Sequence, residues 1–281
     1  MRVVMCGVRG STPAPGREFV RYGGNTSCVA LARDGAPTTV VLDAGTGLRR
    51  LSALLNGRAF SGTILLGHLH WDHTHGMPFF PAGDRPDARV SVLVPAQGDA
   101  LSVLRRAMSP PHFPIGPDEL NGDWRFDSIE SGEHEIEGLS VLAAEVPHKG
   151  GRTFGYRVSD GHATIAYISD HCPTALGPGP GGLGEYHDAA LALALDADVL
   201  IHDAQYTDEE IAAKAYYGHA AHGYAVGLAV AAGAKRVVLF HHDPSRTDDQ
   251  IDAIVAGCRR AGPPVVVDAA AEGMVIDLSG T

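Results

Sequence analysis

The stretch GHLHWDHTHG, positions 67–76, holds a dense group of histidine and aspartate residues. If the chain is extended there, His68 and His70 project to the same side, so that two imidazoles can converge on one cation. Asp72 and His73 follow at once, and a turn at that point directs both toward a second cation position, about 3.5–4 Å away in dinuclear hydrolytic sites. This pattern predicts a metal site, because surface histidines rarely cluster in this way.

The same kinds of residue recur where other apolar runs end. His148 lies in EVPHKGG, Asp170 ends AYISD, and His241 and His242 follow VVLF. Together with the first four, and counting one of the last two, they give five imidazoles and two carboxylates. This set is large enough for two divalent ions with one position left open for solvent.

The distribution of apolar residues predicts an α/β fold in one domain, residues 1–281. Short β-branched runs alternate with alanine- and leucine-rich runs, and no repeat, charge run or low-complexity tail indicates a second module. Strand ends at one edge of such a framework commonly hold ligand-binding residues. The last helix is predicted over Asp248–Ala261, with Thr247 as its N-cap. The segment Ser109–Asn121, with four prolines, is predicted to be a loop of a length typical of functional lids and binding loops, and His112 within it is a candidate to reach the site.

Composition excludes several classes of protein. The chain has 281 residues, 22 Lys+Arg and 33 Asp+Glu, and a net charge of −11, which is not the broad basic footprint of a nucleic-acid binder. Its apolar stretches are too short to span a membrane. Four scattered cysteines without a CxxC pair fit reduced thiols, and we expect a cytoplasmic protein.

The order HxHxDH, then a separate His, Asp and His, resembles the metallo-β-lactamase superfamily. The segments GVRGSTPAPG, LDAGTGLRRL, HLHWDHTHGMPFF and GHAAHGYAVGLAVAAGAKRVVLFHHDP are similar to its phosphodiesterase and ribonuclease Z branch. This resemblance extends over nearly the whole chain. It implies an αββα four-layer sandwich with a dinuclear metal site at one edge.

The resemblance also implies which residues bind each ion. One ion would be held by His68, His70 and His148, and the other by Asp72, His73 and His241, with Asp170 bridging the two. His241 is favoured over His242 because the family's ligand lies three residues before a proline, here Pro244. Carboxylates with histidines suit Zn²⁺ or Mn²⁺, so two such ions are the expected cofactors.

The expected activity is hydrolysis of a phosphodiester by a hydroxide held between two metal ions. Asp72 would bind metal and also orient that hydroxide or accept its proton. His219, after Gly218, is the candidate general acid for the leaving group, and His222 is the alternative.

A small cyclic or linear phosphodiester is the favoured substrate. The alternative is a ribonuclease Z-like endonuclease that processes tRNA 3′ ends. The segment Gly177–Gly184 has no Lys or Arg, whereas that class usually carries a basic, glycine-rich arm that clamps RNA. A third hypothesis is a non-hydrolytic member of the superfamily, of the quinone-cofactor biosynthesis type. The oligomeric state is open, with a homodimer as the candidate.

Overall fold

The chain forms two seven-stranded sheets in a computed structural model that describes residues 1–279. The first sheet comprises β1 Arg2–Gly7, β2 Cys28–Ala32, β3 Thr38–Leu42, β4 Ser61–Leu65, β5 Arg89–Pro95, β6 Asp123–Ile129 and the C-terminal β14 Val275–Asp277. The second comprises β7 Gly132–Ile136, β8 Leu139–Glu145, β9 Phe154–Ser159, β10 Thr164–Ile168, β11 Val199–Asp203, β12 Arg236–Phe240 and β13 Val266–Ala269. Of the predicted domain 1–281, residues 280 and 281 lie outside this description.

The helices cover the outer faces of the sheets. They are α1 Leu48–Leu54, α2 Trp71–Thr74, α3 Ala100–Arg105, α4 Asp188–Ala194, α5 Ile211–Lys214, α6 His222–Ala231 and α7 Asp248–Arg260. Short 3-10 turns occur at Arg17–Phe19, Met77–Phe79, Pro117–Glu119, Pro173–Leu176, Pro180–Gly182 and Ala215–Tyr217. Among residues 1–279, no helix is both long and apolar enough to cross a membrane.

Alternation along the strands creates three apolar layers. In β1, Val3 and Met5 belong to the core between the two sheets, whereas Val4 and Cys6 pack under the outer helices of the first sheet. In the same way, Tyr167 faces the central core while its neighbours on β10 face the helices of the second sheet. Because side chains of a strand point alternately to its two faces, these layers build the predicted αββα sandwich.

The strand order brings the polar strand ends together. Strands β3 to β6 pair in parallel in the first sheet, and β10 to β13 pair in parallel in the second. Parallel strands end at the same edge of a sheet, and ligand sites of α/β proteins lie at the carboxyl ends. Asp43, Asp170 and His241 each lie just beyond such an end.

The N-cap predicted for the last helix is present. The side chain of Thr247 accepts a hydrogen bond from the backbone of Gln250 at 3.4 Å, and the Gln250 side chain accepts from the backbone of Thr247 at 2.9 Å. We expect Thr247→Ala to lower the free energy of unfolding by about 1 kcal/mol, because the N–H group of Gln250 at the helix end loses its side-chain acceptor. Urea unfolding measures the change. Thr247→Ser keeps the hydroxyl, and an equal loss in that variant would contradict the capping role.

Candidate metal centre

The stretch 68–73 changes from extended chain to helix directly after His70. His68 and His70 lie in extended chain after β4, and their rings are 4.3 Å apart between centroids. Asp72 and His73 lie in the first turn of α2, which begins directly after His70. The turn directs these two side chains to the other side of the cluster, as the sequence predicted.

The seven predicted ligands converge at the edge of the sandwich. Donor atoms of His68, His70, His148 and Asp170 lie within 4.8 Å of one another. A second such group comprises Asp72, His73 and His241, and a third comprises Asp170, His219 and His241. Their role as ligands stays a prediction, but their convergence is a property of the fold.

Asp170 lies between the two main groups. Its Oδ2 is 3.6 Å from Nε2 of His148 and 3.8 Å from Nε2 of His68. Its Oδ1 is 3.0 Å from Nε2 of His73 and 3.4 Å from Nε2 of His241. One carboxylate oxygen therefore faces each group, which is the arrangement of a bridging ligand.

The cluster fits divalent cations because several of its buried atoms have no other partner. Within residues 1–279, both ring nitrogens of His68 are buried without a hydrogen-bond partner, and Nε2 of His73 and Oδ1 of Asp170 have close neighbours only among the other predicted ligands. Buried polar atoms are nearly always paired, so these atoms have the character of ligands.

The carboxylates of the cluster shift the pKa values of its imidazoles. Burial by itself would lower the pKa of His73, but the carboxylates of Asp72, Asp170 and Asp43 together raise it well above its usual value. Burial likewise opposes the shift at His241, where Asp170 and Asp72 raise the pKa to about 9. The carboxylates thus create a field that attracts positive charge to the positions between these rings.

The structure distinguishes the two histidines that follow β12. His241 lies in the cluster, with Nε2 3.0 Å from Oδ2 of Asp72. The ring of His242 points away, with Nε2 donating to the carbonyl of Ala270 at 2.9 Å. His241 has a left-handed backbone φ of 58°, and a Cβ at Gly10 would lie 2.4 Å from its Nδ1. The glycine in GVRGST therefore makes room for this ring.

The structure also distinguishes the two candidates for the general acid, His219 and His222. Nδ1 of His219 donates to Oδ2 of Asp203 at 3.0 Å, and its ring centroid is 4.9 Å from that of His241. His222 lies outside the cluster, at the start of α6, where its Nδ1 is 3.4 Å from Asp208. Asp203 also accepts from the backbone of His171 at 3.0 Å, so the carboxylate that orients His219 is itself held in place.

Further polar residues position the candidate ligands. Gln205 places an amide oxygen 3.1 Å from Nδ1 of His241, and the backbone N–H of Ser11 donates to Oδ2 of Asp72 at 2.7 Å. The carbonyl of Gly218 accepts from Nδ1 of His148 at 2.7 Å. Such contacts fix the tautomer and orientation of a metal-binding histidine.

Asp43 contacts the cluster, although it is not among the candidate site residues predicted from the sequence. Its Oδ2 is 2.7 Å from Nδ1 of His73 and accepts from the hydroxyl of Tyr167 at 2.7 Å, and its Oδ1 accepts from the backbone of Gly67 at 2.6 Å. It directly follows β3 and has a left-handed φ of 63°. The available signal was the motif LDAGTG, in which an aspartate ends an apolar strand as Asp170 does.

We expect Asp43→Asn to weaken the second metal position by about 10- to 100-fold, since residues that orient a ligand commonly have effects of that size. The amide keeps the shape but loses the charge that faces His73. Competition with a chelator measures the affinity of each ion. Tyr167→Phe removes only one hydrogen bond to the same carboxylate and should have a smaller effect; equal losses would indicate a packing defect instead.

Fold and cluster together define a metal-dependent hydrolase with a metallo-β-lactamase fold. The chain belongs to the β-lactamase superfamily: the model described as "Beta-lactamase superfamily domain" matches residues 38–242, a range that contains all seven predicted ligands.

Individual proteins are similar over most of the chain. A ribonuclease Z from Natronomonas pharaonis is 26% identical over an alignment of 303 positions, which covers 92% of this chain and 94% of that protein. The crystal structure of human tRNase Z, short form, superposes with a TM-score of 0.67 at 21% identity, covering 99% of each chain. The metallo-β-lactamase fold protein YhfI from Bacillus subtilis gives a TM-score of 0.71 at 16% identity, covering 98% and 99%. The two solved structures show the shared fold.

Proposed function

We propose that this hydrolase cleaves small phosphodiesters, cyclic or linear, with two divalent ions, Zn²⁺ or Mn²⁺. The observation that carries the proposal is the position of Asp170, whose two oxygens face two separate groups of donors. His68, His70 and His148 would hold one ion, and Asp72, His73 and His241 the other. Bound there, such ions supply a water nucleophile that is active near neutral pH and neutralise charge on the phosphate.

Two residues of the chain would move protons in this reaction. Asp72 lines the mouth of the cluster, which is the open cavity bounded also by Asp170 and Trp71. It is the group placed to orient the attacking water or accept its proton. His219 lines the same mouth. Because its Nδ1 is bound to Asp203, its Nε2 is left to donate a proton to the departing oxygen.

Cleavage of tRNA precursors is the second candidate, favoured by the relatives named ribonuclease Z. The region between β10 and α4 supports the smaller substrate. Residues 169–187 contain no Lys or Arg, and they fold into two short 3-10 turns, Pro173–Leu176 and Pro180–Gly182. A basic arm for RNA phosphates would need cations in such a segment.

Turnover by the metal-loaded chain separates these possibilities. We propose to measure hydrolysis of cyclic nucleotides, small cyclic phosphates, bis-nitrophenyl phosphate and a tRNA precursor, together with metal content by elemental analysis. The proposal expects about two ions per chain, in line with seven donors, and turnover of the small diesters. Precursor cleavage at the tRNA 3′ end without turnover of small diesters would assign the ribonuclease activity. Two bound ions without any turnover would favour a non-hydrolytic member.

A further inference from the structure

Three adjoining cavities form one groove that begins at the cluster. The first is its mouth, lined by Asp72, Asp170 and His219 together with Leu69 and Trp71. The second, of about 520 Å³, shares Leu69 and Trp71 with the mouth. The third, of about 240 Å³, shares five lining residues with the second: Leu69, His75, Val103, Ala107 and His112. A substrate held at the cluster can therefore extend along this groove.

The middle cavity has a mixed lining in which polar and cationic side chains face apolar ones. Arg106, Arg152 and Gln97 line it. Arg152 is already paired with Glu130 at 3.2 Å and with Glu145 at 3.0 Å. Arg106 is exposed and makes no ion pair with any residue in 1–279. Gln97 and Arg106 therefore offer hydrogen-bond donors and a positive charge to a hydroxylated or anionic group in this cavity.

The third cavity is apolar and lined with rings. Phe79 and Phe113 meet edge to face, with centroids 5.9 Å apart at 90°. His75 lines the cavity and stacks on Trp71, with centroids 5.6 Å apart at 17°. Phe79, which lines this third cavity, is 56% exposed, and Trp71, which lines the other two cavities, is 66% exposed. Large rings exposed around an apolar cavity are typical of a surface that binds another planar group.

We propose, resting on the function above, that the phosphodiester carries a nucleobase on one arm and that the base occupies the third cavity. The linking sugar then lies in the middle cavity near Arg106, and the phosphate lies at the cluster. Val103 and Ala107 line both cavities and determine specificity for the base. A nucleobase from a small nucleotide and one from an RNA end have the same chemistry, so the experiment compares both sources.

Calorimetry on the metal-loaded protein tests this proposal with two product-like probes, adenosine 5′-monophosphate and ribose 5-phosphate. They share sugar and phosphate and differ in the base. Burial of an aromatic ring predicts that adenosine 5′-monophosphate binds about 10- to 100-fold more tightly. Val103→Trp fills the junction of the two cavities and should remove this difference. Ser102→Trp, on the same helix but outside both cavities, should preserve it.

Equal affinity of the two probes for the unmodified protein, or an unchanged ratio in Val103→Trp, would overturn the proposal. Ala107→Leu is a milder substitution that should reduce the ratio if Val103→Trp fails to fold. Values of kcat/KM for a dinucleotide and a tRNA precursor identify the source, because Val103→Trp lowers the value only for the substrate whose base enters the cavity. Probe binding with a large ratio but no diester turnover would refute the proposed function and leave the base site standing.

Discussion

Asp170→Ala is expected to reduce the rate of hydrolysis of an activated phosphodiester by on the order of 10³-fold or more. The loss of one electrostatic contact in a catalytic site lowers the rate by about 10²–10³-fold, and this carboxylate faces both predicted metal positions. The side chain is only 1% exposed, and its two oxygens face His148 on one side and His73 on the other. Its removal takes away negative charge that offsets the buried imidazoles. Both ions should bind more weakly, which elemental analysis after gel filtration measures.

Two further variants give this experiment its controls. Asp170→Asn retains the shape and should show the same direction of effect, which separates lost charge from lost packing. Asp198→Ala removes a carboxylate at the opposite end of the same sheet, where it accepts from the backbone of Thr164 at 2.8 Å, and should leave metal content unchanged. If Asp170→Ala kept both ions and near wild-type turnover, Asp170 would not bridge.

His219→Ala is expected to have an effect that depends on the leaving group. Nitrophenolate is a stable anion and leaves without a proton, whereas a ribose or alkyl alkoxide needs one. Positioned proton transfer contributes about 10²–10⁴-fold. We therefore expect a loss of on the order of 10²-fold or more with a nucleoside diester, a much smaller loss with bis-nitrophenyl phosphate, and unchanged metal content.

His222→Ala is the matched control for this substitution, because it removes the nearby histidine that lies outside the cluster. An equal loss on both substrates in His219→Ala with metal retained would assign His219 to binding or positioning. An equal loss with metal loss would make it a ligand, which its place in a group with Asp170 and His241 allows. A leaving-group effect in His222→Ala alone would move the acid to that residue.

The centre of the fold was predictable because its strands are apolar and end in polar residues. The strands Cys28–Ala32, Thr164–Ile168 and Arg236–Phe240 coincide with short apolar runs of the sequence. Each lies inside a sheet and is covered on both faces, so its sequence is a continuous apolar run. Parallel pairing of such strands then places Asp170 and His241 at one edge.

The strands β6 and β7 do not stand out as apolar runs in the sequence, and both lie at the edges of their sheets. β6 and β7 occupy the ends of the two strand orders. Their sequences, DWRFDSI and GEHEI, carry charged residues on the exposed face. Edge strands commonly carry charge, which prevents pairing with other chains, and this charge hides the apolar pattern on which the prediction depended.

The roles of the supporting residues depend on contacts between distant parts of the chain. Asp43 acts on His73 thirty residues later, and Asp203 acts on His219 after an intervening helix and turn. The sequence contains no spacing rule that pairs them. The position of Pro244 already favoured His241 over His242, and the structure adds that His241, with a backbone φ of 58°, is the one that lies in the cluster.

The cluster draws its donors from both halves of the sandwich. The residues around His68 and His73 follow strands of the first sheet, whereas Asp170 and His241 follow strands of the second. A nascent chain that ends before β10 lacks both Asp170 and His241, so neither group of donors is complete until strands of the second sheet have formed. Assembly of the complete donor cluster is therefore tied to the closing of the sandwich, and an incompletely folded chain has no complete cluster.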